Sequence, residues 1–212
     1  MRKRPQQQRS RQMVRVLVEA TAGCITEHGL DGTTTPRIAE RAGVSVGSLY
    51  QYFQDKEALI DALVEQMAAD IAEGLKRLPV DEDSGLRERV SAAIRFGFSL
   101  LSSGDGLYIE MIKNWHRLPS QKVADTLQAH FLALARLYFL KHYREYPIEN
   151  LEVRIFIIVN STLFTMVRLI GQDNPMIQAK EVEKGLVEMI LGYLGGTPVT
   201  TRPSPPGRRR IA

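Results

Sequence analysis

Between Val46 and Lys56 the 212-residue chain gathers two phenols, an amide and an ammonium behind two small residues: Val46, Gly47, Ser48, Tyr50, Gln51, Tyr52 and Lys56. Tyrosine and glutamine are neutral donors that can reach a base edge or a phosphate oxygen, and lysine is a point charge suited to phosphate. Glycine and serine ahead of them leave room for close approach of a large ligand. Catalytic readings fare worse. His28, His116, His130 and His142 form no H-E-x-x-H zinc motif, and no G-x-x-x-x-G-K-[ST] phosphate loop occurs. VSVGSLY holds glycine and serine but not G-x-S-x-G between a strand and a helix. The single cysteine, Cys24, excludes an intramolecular disulfide and a multi-cysteine metal site, and its inward position on a helix suits a packed thiol. No catalytic residue, metal site or cofactor is expected.

The elements that must position these groups are helical. Val14, Leu17, Val18, Thr21, Cys24 and Ile25 recur on one stripe, which predicts a helix from about Ser10 to His28 ended by Gly29. Thr35 and Pro36 open a short helix to about Ala42, Gly43 and Val44 turn the chain, and Ser45 caps a second short helix to about Phe53. Ile38, Ala39, Ala42, Val44, Leu49 and Phe53 can pack these two helices steeply, which matches a helix-turn-helix. With Leu49 and Phe53 inward, the donor residues lie on outer surface. There, small residues at the front of the second helix would let it enter a major groove. A long helix follows from Lys56 to about Arg77. Five more are expected, at roughly 85–101, 107–116, 120–143, 148–170 and 178–194, separated by SSGDG, LPS, REYP and GQDNP. No alternating strand pattern appears.

Charge is unevenly placed. Residues 1–57 carry a net +3, residues 58–194 a net −3 and the tail from Gly195 a net +4. Basic ends attract phosphate backbones by counterion release, although solvated tails look the same. MRKRPQQQRSR lacks the apolar core of a secretory signal. The apolar run Ile155 to Val167 reads as too short, and too polar at Asn160 to Thr162, to span a bilayer. A cytoplasmic protein with no membrane partner is expected.

LVEATAGCITEHG (Leu17 to Gly29), TTTPRIAERAGVSVGSLYQYF (Thr33 to Phe53) and DKEAL (Asp55 to Leu59), taken in order, resemble the DNA-binding domain of the tetracycline-repressor family. Pro36 departs from the pattern, since proline offers no side-chain donor where the family often has one. The resemblance implies an all-α protein with an N-terminal three-helix helix-turn-helix domain and a larger C-terminal helical domain for ligand binding and dimerisation. The corresponding boundaries are a basic arm at 1–9, a DNA-binding domain at 10–55, a body at 56–194 and a disordered basic tail at 195–212. It also implies a homodimeric regulator, usually a repressor, on a double-stranded DNA operator from which a small-molecule effector releases it. By position, Val46, Gly47, Ser48 and Tyr50 would meet bases. Thr35, Gln51, Tyr52 and Lys56 would hold phosphates, with Arg37 and the basic arm as helpers.

Beyond Leu75 the sequence is less diagnostic. The family pairs its last two helices with those of a second copy, and here those helices carry Ile155, Ile158, Phe164 and Val167, then Val182, Leu186, Ile190 and Leu194. A ligand pocket would lie among the middle helices, with Phe98, Leu101, Tyr108, Met111, Trp115 and Phe131 as lining, although aromatic stripes at helical spacing are ordinarily core. Glu110 could meet a cationic ligand, and Arg168 an anionic one. Two alternatives remain open at this point. One is a ligand-independent or activating DNA-binding regulator with a solid body. The other is a helical enzyme using Glu110, for which no partner base or metal is present.

Overall fold

A computed structural model describes residues 4–81, 83–102, 106–141, 148–172 and 177–194, with the side chains of 4–7 left aside. The tail at 195–212, the first three residues of the basic arm and the expected helix end at Tyr143 lie outside the described residues. Among the described residues there are nine α-helices and no strand. They are α1 (Arg4–Gly32), α2 (Thr35–Arg41), α3 (Val46–Tyr50), α4 (Lys56–Lys76), α5 (Leu86–Leu101), α6 (Leu107–Lys113), α7 (Ser120–Lys141), α8 (Leu151–Ile170) and α9 (Ala179–Leu194), with a single 3₁₀ turn, Trp115–Arg117, after α6. The all-helical expectation holds.

Two boundaries differ from the sequence reading. α1 begins at Arg4 rather than Ser10, because Pro5 fits the first turn of a helix and the glutamines and arginines after it are good helix formers. The helix expected to reach His116 ends at Lys113 and tightens into the 3₁₀ turn. Gly29 adopts φ 69°, the left-handed conformation that breaks α1 where the sequence predicts its end, before a last turn to Gly32.

Two hydrophobic cores share α1. On one side Leu17, Ala20 and Cys24 pack with Ile38 and Ala39 of α2, Leu49 of α3 and Leu59 of α4. On the other, Val18, Ile25 and Leu30 join Ile60, Leu63 and Val64 of α4 and the core of the body. Burial raises the Cys24 thiol pKa, so this is a packed, protonated sulfur. Leu49 is fully buried on a helix of five residues that cannot stand alone. Leu49→Ala should therefore cost about 2–5 kcal/mol, read as a lower midpoint in urea denaturation. An unchanged midpoint would mean that α3 is not held by this core.

In the body, α4 packs on α7, α5 on α9 and α7 on α8. Lys122 of α7 bridges Asp61 (3.2 Å) and Glu65 (2.7 Å) of α4. α8 is longer than the apolar run read from the sequence. At 20 residues it is long and apolar enough by composition to cross a membrane, which corrects the expectation that it is too short. It turns Ile155, Ile158, Val159, Met166 and Val167 into the protein core, while Val153, Phe156, Ile157 and Phe164 stay exposed.

Candidate nucleic-acid interface and the adjoining cavity

The turn and caps of the α2–α3 pair follow from local chemistry. Gly43 takes φ 68° with open space where a Cβ would stand, and its amide donates to Glu40 O at 3.0 Å. The Ser45 hydroxyl accepts from the Ser48 amide at 3.1 Å, satisfying one of the donors that a helix start leaves unpaired. Burial of Leu49 then fixes the rotation of α3. Val46, Gly47 and Tyr50 face outward, Tyr50 at 51% exposure, and Gln51 and Tyr52 follow as exposed residues. A Cβ at Gly47 would meet nothing nearer than Ser45 Oγ at 3.9 Å. The front of α3 is thus a small, open, capped helix start of the kind that can reach base edges in a major groove.

The flanking residues are less free than their sequence suggests. Thr35 Oγ1 and Tyr50 OH are 3.2 Å apart, so the start of α2 and the end of α3 share a hydrogen bond. Ser48 Oγ is 2.9 Å from Ser45 Oγ, which ties it to the cap. Arg37 Nη1 donates to Gly32 O at 2.6 Å, and Lys56 Nζ lies 3.5 Å from Leu30 O. Both cations therefore rest at the end of α1. Arg41, which the sequence reading passed over, pairs with Glu27 at 2.6 Å and crosses Gly23, where a Cβ would fall 2.2 Å from Arg41 Nε. Only a glycine on α1 permits that crossing.

Of the residues proposed as ligand lining, Leu101, Tyr108, Met111 and Trp115 surround one apolar cavity of about 60 Å³, together with Met67, Ile71 and Ile112. Phe98 is buried in the body core instead. Phe131 packs against that core beside His130, their rings 5.6 Å apart. Arg168 is exposed on α8. None of these three reaches the cavity.

Glu110 has a different role from the one anticipated. Its Oε1 accepts from the Leu30 amide at 2.9 Å and from Asn114 Nδ2 at 3.0 Å. Arg117 on the following 3₁₀ turn donates to Asn114 Oδ1 at 3.1 Å and to Asp31 Oδ1 at 2.6 Å. The Arg117 guanidinium holds the Asp31 carboxyl below its usual pKa. A clamp of Glu110, Asn114 and Arg117 therefore grips the last turn of α1, just past the left-handed Gly29. The same short segment supplies Tyr108, Met111, Ile112 and Trp115 to the cavity wall. Sequence reasoning missed this clamp; the only local signal was the i, i+4 spacing of Glu110 and Asn114, because Leu30 lies 80 residues away.

Comparison with known proteins gives one consistent family. Residues 17–63 match the family of bacterial regulatory proteins called the tetR family. The HTH-type transcriptional regulator BetI of Burkholderia cenocepacia is 28% identical over 193 residues, covering 88% of this chain and 84% of BetI. A crystal structure of RolR in complex with resorcinol superimposes with a TM-score of 0.67 at 19% identity, covering 89% of this chain and 90% of RolR. The regulator FadR from Bacillus subtilis, crystallised with stearoyl-CoA, gives 0.60 at 17% identity over 86% and 98% of the two chains. The likeness to these two structures is one of fold.

Proposed function

We propose, for a chain that belongs to the tetracycline-repressor family of DNA-binding transcriptional regulators, that it is a repressor. It binds a palindromic operator as a homodimer and leaves it when a small apolar or amphipathic ligand enters its body. In this reading residues 10–55 read DNA, residues 56–194 bind ligand and dimerise, and the protein works in the cytoplasm beside its DNA. Val46, Gly47, Ser48 and Tyr50 meet bases. Thr35, Arg37, Gln51, Tyr52 and Lys56 take phosphates, Arg37 and Lys56 after releasing the carbonyls at the end of α1. Leu101, Tyr108, Met111 and Trp115 line the ligand site. The observation that carries this reading is the rotation of α3, with Leu49 buried and Val46, Gly47 and Tyr50 facing out.

The dimer surface rests on exposed apolar area. Val153, Phe156, Ile157 and Phe164 form a stripe on α8 open to solvent, and Met189 lies on the exposed side of α9 between Gly185 and Gly192. Nothing stands within 4 Å of a Cβ at either glycine, so a second helix could approach closely. Contiguous apolar faces of this kind mark association surfaces, and an isologous pair would cover both copies at once. Phe156→Lys combined with Phe164→Lys should convert a dimer into a monomer at micromolar concentration in analytical ultracentrifugation. A doubly substituted protein that still sediments as a dimer would put the interface elsewhere.

Selection of bound sequences from a random duplex pool, at a stated salt concentration, tests the whole reading. The expected product is a short palindrome with half-sites about one DNA turn, roughly 34–36 Å, apart. Binding that merely fades with salt and enriches no sequence would count against it. A ligand-independent regulator remains the second reading. It is favoured by the small size of the inner cavity, which at about 60 Å³ has room for only a few atoms. A ligand screen by thermal shift that finds no stabilising compound would favour that alternative.

A further inference from the structure

Two spaces flank Trp115. The inner one is the cavity of about 60 Å³, whose walls are apolar. The outer one, about 340 Å³ and open on one side, lies between α7 and α8. Trp115, Ser120 and Leu163 line both, so a single indole with one serine and one leucine forms the partition.

The chemistry of the two spaces differs. In the outer space three rings, Trp115, Phe156 and Phe164, surround a floor that also carries Asn160 and Asp125. Asp125 is the one acidic or basic side chain lining either space; it is solvent-exposed, and no described residue pairs with its carboxylate. Aromatic faces beside an unpaired carboxylate attract a cation, by the ring quadrupole and by direct charge. The start of α7 at Ser120 works the other way, since a helix N-terminus carries roughly half a positive charge. Its pull on an anion is reduced because the Ser120 amide already donates to Leu118 O at 2.7 Å and the Lys122 amide to Pro119 O at 3.0 Å.

We infer that these spaces are the two halves of one site for an amphipathic organic cation. Its ammonium sits among the outer rings near Asp125, its apolar group reaches the inner cavity, and Trp115 is the partition that turns aside to admit it. The assignment rests on the reading that a small ligand regulates this protein, and it adds the charge and shape of that ligand. Trp115 is two residues from Arg117, which holds Asp31, so a turn of the indole bears directly on the clamp at the end of α1. The outer space also opens on the α8 face given above to the second copy, which would close its mouth.

Trp115 is the only tryptophan in the chain, so intrinsic emission reports on the partition alone. The full chain is titrated with hexyltrimethylammonium chloride, sodium hexanoate and hexanol, with operator binding followed in parallel. The cation should change Trp115 emission saturably, hexanoate should not at equal concentration, and Asp125→Asn should weaken the cation about tenfold while leaving the circular dichroism unchanged. Equal responses to cation and hexanoate, or an Asp125→Asn protein that binds the cation as well as the parent, would overturn the assignment. So would silence toward all three probes, the result expected if the second copy fills the outer space. Hexanoate or hexanol that shifts emission and displaces operator would remove the cation assignment yet leave ligand-controlled release standing. A cation that binds without displacing operator would do the reverse.

Discussion

A Gly47→Leu protein should fold like the parent and lose on the order of 100-fold in operator affinity. Open space surrounds the missing Cβ, so the added side chain clashes with nothing in the free protein. Leucine is also the better helix former, by up to about 1 kcal/mol in a helix interior, so the melting temperature should stay level or rise slightly. The same bulk would stand at the front of α3, where close approach of the backbone to the groove floor is needed. Loss of one or two base contacts there, at about 1–3 kcal/mol each, accounts for the expected factor. Stability and binding are thus predicted to move independently. Fluorescence anisotropy with the selected operator and a thermal melt together check it. Undiminished affinity would mean that the front of α3 does not enter the groove.

The second large effect is expected at Glu110. Glu110→Ala leaves the Leu30 amide without its acceptor in a partly buried place, and the cost should be about 1–3 kcal/mol. The Leu30 amide should then exchange its hydrogen faster. The shift in operator affinity that a releasing ligand produces should also shrink, because the clamp then keeps only the Arg117–Asp31 bond to α1. Such couplings are typically 1–3 kcal/mol, or about 5–150-fold, which leaves a measurable range for the loss. Glu110→Gln keeps a carbonyl oxygen in the same place and should restore most of both properties. Equal protection of the Leu30 amide in parent and Glu110→Ala proteins, with ligand release intact, would rule out the clamp as the connection.

These two sites show different degrees of legibility. The reading unit could be recognised because its determinants are local: Ser45 caps within three residues, Gly43 turns the chain, and Leu49 and Phe53 share a face at helical spacing. The order of its segments then pointed to the same family that the comparisons give. The body was legible as helices but not as a site. Phe98, Phe131 and Arg168 had the right residue types for a ligand pocket, but type alone does not tell which way a helix is rotated against its neighbours. Packing turned Phe98 into the core and left Arg168 on the surface. α8 showed the same limit: its apolar run was visible, its full 20-residue length was not.

By itself, then, the sequence determined the all-helical class, the helix-turn-helix with its cap and turn, and the small outward face of α3, because capping, φ preferences and periodicity act within a few residues. Only the tertiary structure decided that Glu110 grips the end of α1 rather than facing a ligand, and that Trp115 separates two spaces. It also placed the exposed Asp125 beside the rings of Trp115, Phe156 and Phe164. Those outcomes depend on contacts between residues tens of positions apart, and such contacts are set by how whole helices pack against one another.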